Sequence, residues 1–588
     1  MWSARYERLG TLERANFFIE VGEFVDAVFL HSQGFAQERS MLGADREQDV
    51  IDAVVHCNYS SIDPMNRDEY KGILSLSRKK EELRREIITD FLDRGYQLGL
   101  REEEIIVVRG FLRMAPILDD IGEKWRDDVI WSPVGRAMNA LPDKTKVRLP
   151  EILGKLGLAH SYGILKENDN ANFSKLLEGD PSSGYHEICQ TEAYADQYHQ
   201  LRDIMQEVVH RLEKYHGSLT ALTYTNYFRV WMDFCDCTTL DDIDKIAEDL
   251  DKQWRLLPES LLITNPMEYG YYGPDGIRKD VITRMDMRDP RKVALVEACN
   301  RQKEAVYEYL RTHPNAKDTP ILLSKLRSLE KTIVVALTSV TRTMVYDFNI
   351  AGESLPNSDH QGVADKLGKR ILVFSEGCAI SWLKRLDTWK RVYGSTRFAD
   401  LLTGLTPDDW VFYNLATHET GETVSRDAAT DARLGAKLAT RLNENKSDMA
   451  GLAYLGERAR NGELSEEEMV KIAKLEIASL LYYLSGRGNL QLEPYYNGGV
   501  ITAHLAIETG LLRREGDLWI PDLTHAKDFL SAIPEFFWTR QAPVWESRSP
   551  EEARDRQTAL LQPYLEEDEP IRQILSVASP QYRKSQTA

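Results

Sequence analysis

Residues 408–423 read Asp-Asp-Trp-Val-Phe-Tyr-Asn-Leu-Ala-Thr-His418-Glu419-Thr-Gly-Glu422-Thr423, and about twenty residues later comes Asn443-Glu444-Asn-Lys446-Ser-Asp448-Met-Ala-Gly451-Leu452. On a helix, His418 and Glu422 stand one turn apart and share a face. Glu419 is adjacent and can point into the same cavity. Glu444 and Asp448 are likewise one turn apart on a second helix. Two such helices face to face bring one imidazole and several carboxylates together. That set can hold a divalent cation, with a spare carboxylate left as base toward water. Spacing alone does not demand this. His-Glu-x-x-Glu is not the zinc-peptidase pattern His-Glu-x-x-His, and a solvated charged face accounts for the same residues.

Outward from this stretch, most of the sequence predicts helix. Leu83, Ile87, Ile88, Phe91 and Leu92 recur at helical spacing within 78–96, and Tyr198, Leu201, Ile204, Met205, Val208 and Leu212 do so within 194–215. Ser465-Glu-Glu-Glu468 has the form of a capping box and opens a helix to about Leu484, where Gly486 and Gly488 stop it. Strand-like runs are few: Ile371–Phe374 and Leu518–Ile520. Loops are expected at Glu178–Gly184, Asn265–Gly276 and Gly352–Gly362. The mixed-charge run Arg78–Arg85 is expected to face solvent. The tail beyond Glu566 is expected to fray after a last short helix.

Composition sets the outer limits. At roughly 150 residues per domain, 588 residues suggest about four domains. Hydrophobic residues at 42% and charged residues at 28% exclude a disordered or fibrous chain. The net charge of −19 argues against nucleic acid and anionic membrane surfaces as partners. No stretch reaches the roughly 18 apolar residues of a membrane helix. The start, Met-Trp-Ser-Ala-Arg-Tyr-Glu-Arg, lacks the order of a secretory signal. The six cysteines (Cys57, Cys189, Cys235, Cys237, Cys299, Cys378) are scattered and suit a reducing, cytoplasmic setting. Cys235-Asp-Cys237 has no second ligand cluster nearby and is expected to be core thiol.

The order of short motifs resembles the dipeptidyl peptidase III family of zinc metallopeptidases, in particular its Nudix-associated branch. Ser354-Leu355-Pro356-Asn357 is followed by Gly368-Lys369-Arg370-Ile371-Leu372. Then come Thr417-His418-Glu419 and Glu444-Asn-Lys446-Ser-Asp448-Met-Ala-Gly451-Leu452, and after them Ile507-Glu508-Thr-Gly510 before Gly516-Asp517-Leu518-Trp519-Ile520. Weaker echoes are Trp231-Met232-Asp233 and Asn265-Pro266-Met267-Glu268-Tyr269. The resemblance is best over 354–521 and reaches back to about Met205.

The resemblance implies an α+β, mainly helical fold of two lobes with a wide cleft. It divides the chain into an N-terminal helical and mixed α/β part (1–350), a metal-site lobe (351–565) and a C-terminal tail (566–588). It implies His418 and Glu444 as metal ligands, Glu419 as the general base and Asp448 behind them, orienting a ligand by hydrogen bond. Glu268, Tyr269, Asn357 and His360 would contact substrate; a surface carboxylate, a packed loop and a solvated loop histidine are the plainer readings there.

Two departures from the family pattern matter. The second ligand histidine is missing, with Glu422 at that place and Thr423 beside it. A His/Glu/Glu set holds zinc, the first expectation, but also shifts preference toward iron(II) or manganese. The family's carbonyl-steadying histidine is also absent; Tyr495, Tyr496 or His504 are the candidates to replace it. The expected function is metal-dependent hydrolysis of a small molecule or short peptide. The alternatives are a metalloenzyme of the same fold recruited to isomerase, lyase or iron-dependent oxygenase chemistry, and a silent peptide- or partner-binding protein. The sequence does not give an oligomeric state.

Overall fold

Apolar residues recur every three or four positions, and capping residues stand before many of these runs, so the chain folds mainly as helix. A computed structural model describes residues 2–12, 14–43, 46–56, 66–132, 136, 175–180, 184–263, 269–272, 279–281, 283–343, 350–355, 363–424, 430, 433–487 and 493–579. The principal helices are α1 (Arg14–His31), α2 (Arg67–Asp93), α3 (Glu102–Trp125), α4 (Ala195–Leu212), α5 (Leu219–Cys235), α6 (Leu240–Leu256), α7 (Val293–Thr312), α8 (Ser375–Tyr393), α9 (Ala416–Glu422), α10 (Ala436–Arg460), α11 (Glu466–Ser485), α12 (Glu493–Glu508), α13 (Ala526–Phe536) and α14 (Glu569–Ala578). The principal strands are β1 (Leu261–Ile263), β2 (Thr283–Arg288), β3 (Ile333–Thr343), β4 (Gly352–Leu355), β5 (Arg370–Phe374), β6 (Leu512–Glu515) and β7 (Leu518–Pro521).

The chain divides into two compact units, Met1–Arg291 with Ala336–Ile350, and Lys292–Val335 with Ala351–Ala588. The segment Lys292–Val335, expected with the N-terminal part, therefore groups with the later residues. Its helix α7 explains this, because it packs on α9 and α10 and buries Val296, Val306 and Leu310.

In the first unit, α4 lies between α3 and α5. Strands β1, β2 and β3 run antiparallel, with Leu261 opposite Met287 and Thr283 opposite Thr343. The charged run on α2 is not solvated as expected: Lys80, Arg84 and Arg85 are buried. Arg85 donates to Asp119 Oδ2 (2.6 Å), Thr341 Oγ1 (3.1 Å) and the Arg342 carbonyl (2.7 Å). Lys80 Nζ donates to Asp26 Oδ1 at 2.9 Å. Burying these cations is tolerable because each meets a carboxylate or carbonyl. Cys235 and Cys237 are buried thiols, as expected, and Cys189 is buried as well. Cys57 lies outside the described residues.

In the second unit, the 25-residue helix α10 is the axis. Helices α9, α12 and α13 pack against it, and α11 packs on α8, α12 and α13. The capping box at Ser465 is present, with Ser465 Oγ accepting from Glu468 N–H, and Gly486 caps the far end. Strand β5 covers the apolar run read from sequence. Its antiparallel partner β4 falls where a loop was expected; Gly-Glu-Ser-Leu has no alternation to betray a strand. Glu178–Asp180 is likewise strand, pairing with 184–186 rather than forming a loop. Strands β6 and β7 make a tight hairpin in which Gly516 takes φ 63°, open to glycine at no steric cost. Helix α14 is docked on α8 and α11 through Ile571, Ile574 and Leu575.

Candidate metal centre

Helix α9 is short, but it continues a longer helical path through Pro407–Trp410 and a π-helical turn, Val411–Leu415. A wide turn of this kind rotates the residues after it, and such turns recur at functional sites. Thr417, Thr420 and Thr423 each return their hydroxyl to a carbonyl of the preceding turn. Their polarity is thus consumed inside the helix, and α9 can be buried. Thr423 Oγ1 also meets Ser354 Oγ of β4 at 3.2 Å, so this hydroxyl is taken up away from His418.

Helices α9 and α10 cross closely because two glycines permit it. A Cβ on Gly421 would stand 2.1 Å from the Ser447 carbonyl oxygen, and one on Gly451 would stand 2.6 Å from Thr417 Cβ. Lys446, fully buried, donates to the Gly421 carbonyl at 3.1 Å and lies over the Trp545 ring at 5.2 Å. A cation at the last turn of α9 suits the partial negative charge there. Since the Gly421 neighbour is backbone and cannot swing aside, Gly421→Ala is expected to cost roughly 1–3 kcal/mol or more. Thermal unfolding checks this: a clear drop in Tm is expected, and an unchanged Tm removes the close-crossing argument.

The crossing brings the sequence-predicted residues together. His418 Nδ1 lies 2.7 Å from Asp448 Oδ1. His418 Nε2 lies 3.2 Å from Glu444 Oε2, near enough for ionic attraction but not aligned as a hydrogen bond. Ligand atoms of His418, Glu419 and Glu422 all fall within 4.8 Å of one another. Asn443 Nδ2 reaches Glu422 Oε1 at 3.4 Å. Glu419 is 4% exposed and Glu444 7% exposed. Burial alone would lower the pKa of His418, but Asp448 and Glu444 outweigh it and hold the imidazole protonated well above its ordinary value. Burial, then the Glu422 and Glu444 charges, push the Glu419 carboxyl well up against the opposing pull of His418.

These residues fit a cation. Glu419 Oε2 and Glu444 Oε2 are buried acceptors with no hydrogen-bond donor. Three glutamates converge on one imidazole, and such a concentration of buried negative charge is costly unless a cation or protons relieve it. With Asp448 on Nδ1, loss of the second ring proton would leave the Nε2 lone pair to face a cation.

The other candidates separate. On α12, Tyr495 stacks toward His418, with ring centroids 6.2 Å apart at 24°, and Tyr483 lies 5.4 Å behind it. Tyr496 instead donates to Glu567. His504 is not at the centre: its Nε2 lies 3.1 Å from the Glu566 carbonyl, and its ring meets Tyr564. The reason is helical phase. His504 follows Tyr495 by 504 − 495 = 9 residues, which at ~100° per residue is half a turn out. Glu268, Asn357, His360 and the Tyr269 side chain lie outside the described residues.

Sequence reading missed a layer behind Asp448. Glu476 on α11 is 5% exposed and accepts from Asn414 of the π-helical turn. Arg385 of α8 lies 4.2 Å from the Trp410 ring and 4.8 Å from that of Tyr482, and donates to Ser479 Oγ at 3.1 Å. Burial, with the Asp448 charge, pushes the Glu476 carboxyl up to about 8, against Arg385 and Asn414. Glu476 is therefore neutral at pH 7. A raised carboxyl pKa stabilises the fold fully below the unfolded value and loses that contribution as pH rises through about 8. Glu476→Gln mimics the neutral acid. It is expected to flatten the fall in metal-free stability between about pH 5 and 8.5, a difference on the order of 4 kcal/mol at ~1.4 kcal/mol per pKa unit. Parallel pH-dependent melting curves for the two proteins contradict this.

No protein-family model matches the sequence, and no curated protein matches it. Among solved structures, the chain is similar to dipeptidyl peptidase III from Caldithrix abyssi, with a TM-score of 0.52 and 14% identity over 83% of this chain and 96% of that one. It is also similar to dipeptidyl-peptidase III from Corallococcus sp. strain EGB, with a TM-score of 0.46 and 13% identity over 75% and 78% of the two chains. The first likeness gives the fold: mainly helical with a small sheet, of the dipeptidyl peptidase III kind. At this identity it speaks to the fold alone. No described helix is long and apolar enough to cross a membrane.

Proposed function

We propose that this chain is a metal-dependent hydrolase acting on a short peptide or similar small molecule, beside the Nudix-associated branch of the dipeptidyl peptidase III family. The observation that carries this reading is the gathering of the Glu419, Glu422 and Glu444 carboxylates around the buried imidazole of His418. His418, Glu422 and Glu444 would hold the cation, zinc being the first choice. When bound, it supplies Lewis acidity toward a substrate oxygen.

The rest is done by this chain's own side chains. Asp448 fixes the His418 tautomer through Nδ1. Glu419 takes the proton from an attacking water at Oε2 and passes it to the leaving nitrogen. Tyr495, whose ring stacks toward His418, would donate its hydroxyl to the oxyanion that develops. Burial of Glu419 keeps its carboxyl basic enough for this work.

A second reading keeps the centre and changes the chemistry. Glu422 beside Glu419 adds a carboxylate to the donor set, which weakens Lewis acidity and suits iron(II) or manganese in non-hydrolytic reactions. The test is turnover of amino-terminal dipeptide amides by protein loaded separately with zinc, manganese and iron(II). Cleavage with any of them is expected. Absence of cleavage with all three, alongside oxygen consumption by the iron form, transfers the assignment to the second reading.

A further inference from the structure

About one turn before Glu444 on α10 stands an arginine that the metal centre does not use. Arg441 is half-buried, and its Nε is buried with no hydrogen-bond acceptor. Its Nη2 donates to Asn497 Oδ1 on α12, at 3.3 Å. Among the described residues no carboxylate pairs with it, although the chain carries 93 acidic residues against 74 basic ones. Glu444 is the acid within one-turn reach, but its carboxylate turns to His418 Nε2, 3.2 Å away. Asn497 is itself buried; it fixes the guanidinium and leaves the positive charge uncancelled. A partly desolvated guanidinium with a neutral partner is costly to keep, and a carboxylate is what its planar fork fits best.

Helical register puts this cation on the stripe of the centre. Glu444 follows Arg441 by 444 − 441 = 3 residues and Asp448 by 448 − 441 = 7. At ~100° per residue, the three fall within roughly 60° of one another around α10. The stripe that turns Glu444 and Asp448 to His418 therefore also carries Arg441. Helix α12 spans the same two places: Tyr495 stacks toward His418, and Asn497 holds Arg441. Along the helix axis Arg441 and Glu444 are ~4.5 Å apart at ~1.5 Å per residue. An extended peptide advances about 3.3–3.6 Å per residue. A group bound at Arg441 thus lies one or two residues from a bond held at the centre.

We propose that Arg441 is an anion subsite beside the centre, and that the substrate class is a short peptide or similar small molecule whose free carboxylate, one or two residues from the reacting bond, is taken by this guanidinium. This rests on the metal-dependent hydrolase reading and adds a chemical demand on its substrate. Arg441 acts in binding and specificity, with Asn497 positioning it.

The experiment measures binding of trialanine and tetra-alanine, each as free acid and as C-terminal amide, by isothermal titration calorimetry. The full zinc-treated chain is used with Glu419→Gln, so that ligand is not consumed. With Arg441 in place, the acid is expected to bind about tenfold or more tighter than the amide, the scale of a hydrogen bond to a charged group. Adding Arg441→Gln is expected to remove this preference by weakening the acid alone. Arg441→Lys, which keeps the charge without the fork, is expected to retain part of it. A tripeptide amide ending in aspartate separates the two sources of carboxylate: binding like the free acid extends the site to side-chain carboxylates, and binding like the plain amide restricts it to the terminal one. Equal binding of acid and amide before substitution, no binding of either, or a preference that survives Arg441→Gln overturns the proposal. Tm checks each fold; should Arg441→Gln not fold, the acid-to-amide ratio of the parent chain decides. Cleavage is followed separately with the unsubstituted chain. Acid-selective binding without cleavage leaves the carboxylate site standing and removes the hydrolase reading, and cleavage without acid selectivity does the reverse.

Discussion

Glu419→Gln is expected to bind metal as wild type does and to lose turnover by about two to four orders of magnitude, the range for removing a general base. The amide keeps the size of the carboxylate and can still donate or accept a hydrogen bond, so the helix crossing is preserved. What it cannot do is accept a proton. Glu419 Oε2 is the atom concerned, because it is buried and has no donor of its own. The variant also replaces a carboxyl that burial and the Glu422 and Glu444 charges already push toward its neutral form. Metal-free Glu419→Gln is therefore expected to be no less stable than wild type. The decisive comparison is kcat at matched metal occupancy. A variant that keeps wild-type kcat removes Glu419 from the chemistry and leaves it a structural carboxylate.

His418→Ala is expected to abolish stable metal binding outright, because the imidazole is the only nitrogen donor in the cluster among the described residues. Asp448→Asn is expected to be milder, about 10- to 100-fold in affinity, as for other groups that orient a ligand from behind. Asp448 meets His418 at Nδ1, 2.7 Å away, on the other side of the ring from Nε2. The pH dependence follows with a definite sign. Burial opposes protonation of His418, yet Asp448 and Glu444 hold the metal-free imidazole protonated well above its ordinary range. A ligand must be deprotonated to bind metal, so binding releases that proton. Affinity is expected to rise with pH by ~tenfold per unit while one proton is displaced. In Asp448→Asn the His418 pKa falls, and this slope is expected to flatten. Identical slopes in the two proteins contradict the assignment of Asp448.

The fold was legible where local rules are strong. Ser465 and Glu468 announce the start of α11, and the apolar run after Arg370 announces β5. The pairing of His418 with Asp448 was expected through the family resemblance, since counted spacing alone fits a solvated charged face equally, and the two do meet at 2.7 Å. Other features were hidden for physical reasons. The π-helical turn before α9 has no residue signature. The closeness of α9 and α10 depends on Gly421 meeting Ser447 and Gly451 meeting Thr417, contacts between helices that no single-helix pattern contains. Glu476 and Arg385 look like ordinary charges on separate helices. Only packing reveals one as a neutral acid behind Asp448 and the other as a cation among aromatic rings. His504 was proposed from nearness in sequence, and half a helical turn sends it to Glu566 instead.

The central claim is that His418, Glu422 and Glu444 gather around one divalent cation. Elemental analysis of the purified chain, before and after loading with zinc, manganese or iron(II), tests it most directly. About one equivalent of a divalent metal, absent from His418→Ala, is the predicted result. No retained metal under any loading condition would contradict the account.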